Sequence, residues 1–293
     1  DWDGNFRAFG DITAVEITGD LLGTIRAVAD PAQDDAPYKV IESILVAGNV
    51  GEVGGAAATI EADHLQTLTV EGSISTSETQ ILPDMTTDDG AGSLTVEGTV
   101  QDLWIWGGLD SGTLLGGEME QEVDYLTIGG YDPNSADETI ARWDVGTLTI
   151  GTAASPAAIG SQLWIWGNAG TVTVHNDENS GAGGAIFIDG QVGTGDAEAP
   201  GGLVIDGRSG SIHVGGFAPA AGITVGGFGA ESLVGDSYIF IAGVAAQAVE
   251  VDPDEPRSGG GMNEGNFIEI RDNEFRLFSA DSLGDGTVRT GNW

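Results

Sequence analysis

The sequence predicts an all-β chain wound into a parallel β-helix (β-solenoid) with loop inserts and less regular end segments. One observation is a five-residue unit repeated along the chain: branched apolar, any residue, branched apolar, any residue, glycine. A second is the near absence of amphipathic helical spacing. A third is that all nine prolines fall outside the twelve complete units, as a sheet requires, because proline cannot donate to a ladder.

The complete units occupy residues 15–19, 44–48, 68–72, 94–98, 103–107, 126–130, 163–167, 186–190, 203–207, 212–216, 223–227 and 239–243, and looser copies start at Leu148, Val172 and Ile268. Apolar side chains two apart share one face of a strand. The glycine after them supplies a turn or bulge conformation that other residues resist. Each unit therefore reads as a short strand ending in a bend. The pairs Leu94 and Leu103, Leu163 and Val172, and Leu203 and Ile212 stand nine residues apart, enough for a strand, a bend and the approach to the next side of one coil. Asp189-Gly190 and Asp206-Gly207 resemble two-residue hairpin turns, so local hairpins are an alternative there.

The longer gaps, 75–92, 108–124, 131–145 and 252–261, are acidic or rich in small residues and read as loops emerging from the coil. At about 20 to 35 residues per turn the chain makes roughly ten turns, about 50 Å of stacked strands. Three parts of one elongated domain follow: an N-terminal end segment over 1–30, a solenoid body over 31–265 and a C-terminal end segment over 266–293. Inside the body, Leu68 and Val70 or Ile186 and Ile188 point to a dry aliphatic column. Each fully buried side chain there contributes roughly 1.5 to 3 kcal/mol before entropy is subtracted.

Charge narrows the function. The 293 residues carry a formal charge of -37, from 46 acidic against nine basic residues, and Lys39 is the single lysine. Such a chain repels phosphate backbones and anionic lipid heads, which argues against nucleic-acid and membrane-surface partners. The acidity fits life in high salt, binding of a divalent cation such as Ca²⁺, or a charged coat that keeps an exposed structure soluble. Cysteine is absent, which removes disulfides and thiolate metal sites. No stretch reaches the roughly 18 apolar residues that span a bilayer as a helix. The opening at Asp1, without methionine or a basic apolar leader, suggests a processed or trimmed product.

The stretches QTLTVEGSI at 66–74, GSLTVEGTV at 92–100 and GTLTIG at 146–151 resemble the "gsLTVeGsv" repeats of extracellular proteins of bacteria and archaea. The resemblance covers most of residues 44 to 243. It implies a parallel β-solenoid in a surface-layer, adhesin or filament protein at the cell surface, and it carries over no catalytic motif.

The duplicated Leu-Trp-Ile-Trp-Gly at 103–107 and 163–167 is the sharpest local signal. With leucine and isoleucine inward, alternation turns Trp104, Trp106, Trp164 and Trp166 outward. They then form a contact surface for a neighbouring subunit, a satellite core covered by the inserts, or a stacking surface for sugar rings. Trp2 and Trp293 mark the two ends as docking points.

Asp189 and Asp206 occupy the same place in related units and could lie on neighbouring turns, sharing a cation such as Ca²⁺ or acting as catalytic acids with Arg208 nearby. The plainer reading is a turn-forming aspartate before glycine. The acidic stretches 252–256, 88–89 and 132–138 are further cation candidates without a recognised calcium pattern. His64, His175 and His213 fall at different places in their units and do not suggest zinc.

The favoured expectation is a structural, non-enzymatic, extracellular protein that self-assembles into a surface layer or filament through its ends and its tryptophan face. The alternatives are a polysaccharide-degrading β-helix enzyme and a glycan-binding adhesin module.

Overall fold

All twelve units and the three looser copies become strands, and they stack in parallel. The computed structural model describes residues 1–28, 39–52, 55, 57–75, 79–83, 85–86, 92–116, 122–131, 140–141, 143–175, 184–196, 198–206, 209–218, 220–225, 239–241, 267–270, 277–279 and 287–290. Among them there is no helix, and 22 strands join in one sheet.

That sheet is two ladders on opposite sides of a coil. Ladder A holds β1 (Asn5–Phe9), β3 (Thr24–Val28), β5 (Thr59–Glu61), β7 (Thr79–Ile81), β9 (Val100–Ile105), β11 (Glu122–Ile128), β15 (Ala158–Ile165), β17 (Ala185–Val192), β19 (Ile212–Phe217), β21 (Ile239–Ile241) and β23 (Leu277–Ser279). Ladder B holds β2 (Val15–Ile17), β4 (Val40–Val46), β6 (His64–Val70), β8 (Ser93–Val96), β10 (Leu109–Leu114), β14 (Val145–Ile150), β16 (Ala169–His175), β18 (Gly202–Asp206), β20 (Gly222–Val225), β22 (Phe267–Ile270) and β24 (Thr287–Thr290). The chain visits A and B once per turn, so eleven strands in each ladder make eleven turns, against the roughly ten that repeat length predicts. The nine-residue pairs fall on consecutive sides, as with Leu163 on β15 and Val172 on β16.

Alternation then fixes the core. One turn buries Val123, Leu126, Ile128, Val145, Leu148 and Ile150, none more than 2% exposed. Four of these come from the two flat sides. Val123 and Val145 sit at the two corners, in columns running Leu21, Val50, Ile74, Val100, Val123 and Leu109, Val145, Ala169. Every turn thus closes its own ring of aliphatic side chains and rests on the ring below.

Gly130 has the positive φ (112°) that the sequence expectation gives the unit glycine, and other unit glycines work differently. Gly72, Gly98 and Gly190 have no left-handed φ; a Cβ on them would lie 2.4, 2.6 and 2.4 Å from the carbonyl oxygens of Gly48, Gly72 and Gly167. Bends of successive turns stack backbone on backbone, and only hydrogen fits between them. The residue after the glycine adds a polar column at the same corner. Asn49 N–H donates to Asp20 Oδ1 (2.7 Å), Ser73 N–H to Asn49 Oδ1 (2.9 Å) and Thr99 N–H to Ser73 Oγ (3.0 Å). A second such column stands at the opposite corner, beside Val145 and Ala169, with Asn168 N–H donating to Asp144 Oδ1 (2.8 Å) and Gln191 N–H to Asn168 Oδ1 (2.8 Å). These acceptors satisfy amides that the bend removes from the strand ladder.

Two stretches read as inserts are parts of the ladders. Residues 75–92 contain β7 and residues 108–124 contain β10. Their inward positions hold Thr79, 2% exposed, and Gly112, so the apolar signature is broken. Leu109 and Leu148 fill the place of the missing side chain, with carbons 2.8 and 2.9 Å from where a Gly112 Cβ would stand. The gap at 131–145 does leave the coil: β12 (Gly130–Tyr131) and β13 (Ile140–Ala141) pair antiparallel. No hairpin forms at Asp189-Gly190, because β17 runs straight through it. The gap at 252–261 lies outside the described residues. Strands β1 to β3 and β22 to β24 extend both ladders into the two end segments.

Candidate functional site: the aromatic face and the first turn

Leu103, Ile105, Leu163 and Ile165 are fully buried, which leaves Trp104, Trp106, Trp164 and Trp166 on the outer face of ladder A, each half-buried. Register places one outward column along Gln80, Trp104, Thr127, Trp164, Phe187 and His213. Trp104 and Trp106 meet edge to face with centroids 6.1 Å apart, and Trp164 lies flat against Trp166 at 4.4 Å and 7°. Phe187 follows Trp164 at 5.5 Å, and His213 stacks on Phe187 at 4.5 Å.

Between the two tryptophan pairs runs β11, with Thr127 in the shared column, so the pairs stand two strand spacings, about 10 Å, apart along the axis. Trp104 leans over that strand and its Nε1–H donates to Gly129 O (2.8 Å). Tyr125, on the same strand and face, is 47% exposed. The Trp164 and Trp166 rings cover one face of each other, and Phe187 lies tilted beside Trp164. Burial holds the His213 imidazole below its ordinary pKa. Phe187 and His213 take the same middle position in their units as Trp104 and Trp164, and aligning the units on that position is the signal that finds them.

The second feature is the first turn. Phe6 stacks over Ile25 in the inward column of ladder A, yet Phe6 is 43% exposed while Ile25 is fully buried. A cavity of about 320 Å³ opens there, lined by Trp2, Phe6, Val15, Ile17 and Ile25 with Asp1, Glu16, Thr18 and Gly19 at its margin. Trp2 is tied down by the bonds Trp2 N–H to Asp20 O (2.7 Å) and Leu22 N–H to Trp2 O (2.8 Å), and it packs against the core. Phe9 is 59% exposed, with the Arg7 guanidinium 4.8 Å from its ring centroid. One strand inward, Arg26 pairs with Glu61, which raises the Arg26 pKa.

The paired-aspartate site is not assembled as the repeat pattern suggests. Asp189 lies on β17 in ladder A and Asp206 ends β18 in ladder B, so they occupy successive sides of the coil and belong to different columns. Likeness between the units Ile186 to Gly190 and Leu203 to Gly207 marks neighbouring sides here, not neighbouring turns. Asp206 instead accepts a hydrogen bond from His175 Nδ1–H (2.8 Å), a partner for His175 that spacing did not reveal. Among the described residues no three His, Asp or Glu side chains converge as a metal site would require. Trp293, Arg208 and the acidic stretches 88–89, 132–138 and 252–256 lie outside the described residues.

Comparison of the chain with protein-family models, with curated proteins and with solved structures gives no match.

Proposed function

We propose that the chain is a structural, extracellular building block that self-assembles into a surface layer or filament through its ends and its aromatic face. The observation that carries this reading is the aromatic column on the outer face of ladder A, where Trp104, Trp106, Trp164, Trp166 and Phe187 stand half-buried on a chain of charge -37. Large apolar patches on a protein surface mark contact sites. The resemblance of its repeats to those of extracellular proteins supports a location at the cell surface, with Ca²⁺ as the candidate cation for bridging carboxylates between copies.

Sedimentation velocity and negative-stain electron microscopy across salt and Ca²⁺ concentrations test it. Ordered assemblies with a constant repeat are expected, growing with ionic strength as self-repulsion is screened. A dispersed monomer under every condition removes the proposal.

A glycan-binding module is the second reading, favoured by the exposed Tyr125 beside the tryptophan pairs. Glycan-array binding that is lost in Tyr125→Ala and Trp104→Ala would support it, and a silent array would remove it. A polysaccharide-degrading enzyme has less support, since Asp189 and Asp206 stand in separate ladders; oligosaccharide release abolished by Asp189→Ala would revive it.

A further inference from the structure

We propose that the outer face of ladder B binds ice through a grid of hydroxyl groups. This goes beyond the building-block reading and does not rest on it, because it uses the side of the coil opposite the aromatic column.

Register builds the grid. Over five consecutive turns, β6, β8, β10, β14 and β16, one outward column runs Thr67, Ser93, Ser111, Thr147 and Thr171. A second column, two residues further along each strand, runs from Thr69 to Thr173 and is threonine in every turn. None of the ten side chains is buried. Eight of the chain's 24 threonines stand in these ten positions, and none of its 46 acidic residues does. Strand propensity does not explain that choice, since it accepts valine, isoleucine and tyrosine as readily. Leu45 and Val204 indeed take the second column in the turns on either side.

Ladder B is also regular. No register shift interrupts these five turns, whereas ladder A is shifted between Val123 and Tyr125 and again between Ile188 and Gln191. Hydroxyls therefore repeat at about 4.8 Å from strand to strand and about 6.6 Å along each strand. Oxygen atoms on a prism face of hexagonal ice repeat in two perpendicular directions at distances close to both.

The chemistry fits the same ligand. Each hydroxyl brings one donor and two acceptor lone pairs. Threonine's branched Cβ keeps χ1 stiff, so little side-chain freedom is lost when water freezes onto the face. Its methyl group adds apolar area that gains by leaving liquid water. Two hydroxyls are anchored within the protein, Ser111 Oγ–H to Gly92 O (3.3 Å) and Thr147 Oγ1–H to Asp110 O (3.4 Å), and their lone pairs still accept from water. Glu71, Glu97 and Asp110 stand at or just beyond the strand ends, so hydrated charges rim the grid without entering it. Sugar recognition draws on ring stacking, for which the grid has no aromatic side chain.

Ice-affinity partitioning of the whole chain, with thermal hysteresis as a second readout, tests the proposal. Wild-type protein should enter a slowly growing ice front and hold the freezing point below the melting point. A chain left wholly in the liquid would overturn the proposal. Thr149→Tyr puts a strand-compatible side chain above the plane of the grid, so both readouts should be lost while circular dichroism and the urea midpoint stay as in wild type. Thr95→Lys makes the same test with a charge at a second position, should the first variant not fold. A folded variant of either kind that freezes in like wild type would show that the grid is not the ice-binding surface. Tyr125→Ala, on ladder A, should partition as wild type does, and loss of binding there would move the activity to the other face. Retention on microcrystalline cellulose that Thr149→Tyr abolishes, with ice growth unaffected, would assign the grid to a polysaccharide surface and overturn the proposal. The building-block reading fails on sedimentation and this one on freezing, so the two failures are distinguishable.

Discussion

On ladder B the outward middle residues of successive turns are Thr69, Thr95, Thr113, Thr149 and Thr173; on ladder A the matching positions hold Gln80, Trp104, Thr127, Trp164, Phe187 and His213. Inward, the two sides are interchangeable, with Leu126 and Ile128 facing Leu148 and Ile150, all at most 1% exposed. Threonine is a β-branched residue with a small polar end, suited to a wet pleated surface. Over these five turns ladder B shows that the coil closes and stacks with nothing larger than threonine at that position, and the column continues through Leu45 on one side and Val204 on the other. The aromatic column of ladder A is therefore not a requirement of the fold, and it is the side on which contact with a protein or glycan partner is to be sought.

The largest expected effects test the sameness of the interior. Leu126→Ala on side A and Leu148→Ala on side B should each cost about 2–5 kcal/mol in urea unfolding, the range for a buried leucine whose cavity cannot collapse. A silent substitution on either side would mean that the two ladders do not share one core. Next, the outsides should differ. Trp164→Ala should cost roughly 1.5–3 kcal/mol, since it strips the stacked Trp166 and Phe187 of a neighbour, while Thr149→Ala should stay within about 0.5 kcal/mol. Equal losses would erase the distinction between the faces.

A smaller effect is expected at the corner, which belongs to neither face. Asn168→Ala removes the side-chain acceptor of the exposed Gln191 N–H and should cost about 0.5–1 kcal/mol by the same unfolding measurement. The smallest is a pH dependence confined to side A. Burial lowers the His213 pKa from its reference value of 6.5, so the unfolded chain binds a proton that the native one resists. Its contribution is complete above about pH 6.5 and is lost as pH falls from there through the depressed native value. His213→Phe should flatten the melting temperature across that interval, and a slope unchanged by the substitution would refute the assignment.

Much of this fold is legible in the sequence because the inward columns are aliphatic and the period-two alternation is strict. Legibility fails where the column is filled from elsewhere. Gly112 reads as a break in the pattern, but Leu109 and Leu148 occupy its space; Thr79 and Ala58, both buried, blur β7 and β5 because neither is a branched aliphatic residue. The role of the unit glycine is also invisible locally, because the carbonyl that excludes a Cβ at Gly72 belongs to Gly48, one turn away. The outward tryptophans follow from alternation alone. Which aspartates become neighbours does not, since the distance from Ile186 to Leu203 crosses a corner instead of completing a turn.

Paired cysteines in the otherwise cysteine-free chain test the coil most directly. Thr149 and Thr173 lie 24 residues apart and face each other across β14 and β16, about 4.8 Å away if the turns stack in parallel. Thr149→Cys/Thr173→Cys should form an intramolecular disulfide in full yield with the β-sheet circular dichroism unchanged. Thiols that stay free in a folded chain, or that pair only between molecules, would contradict the stacked two-ladder coil.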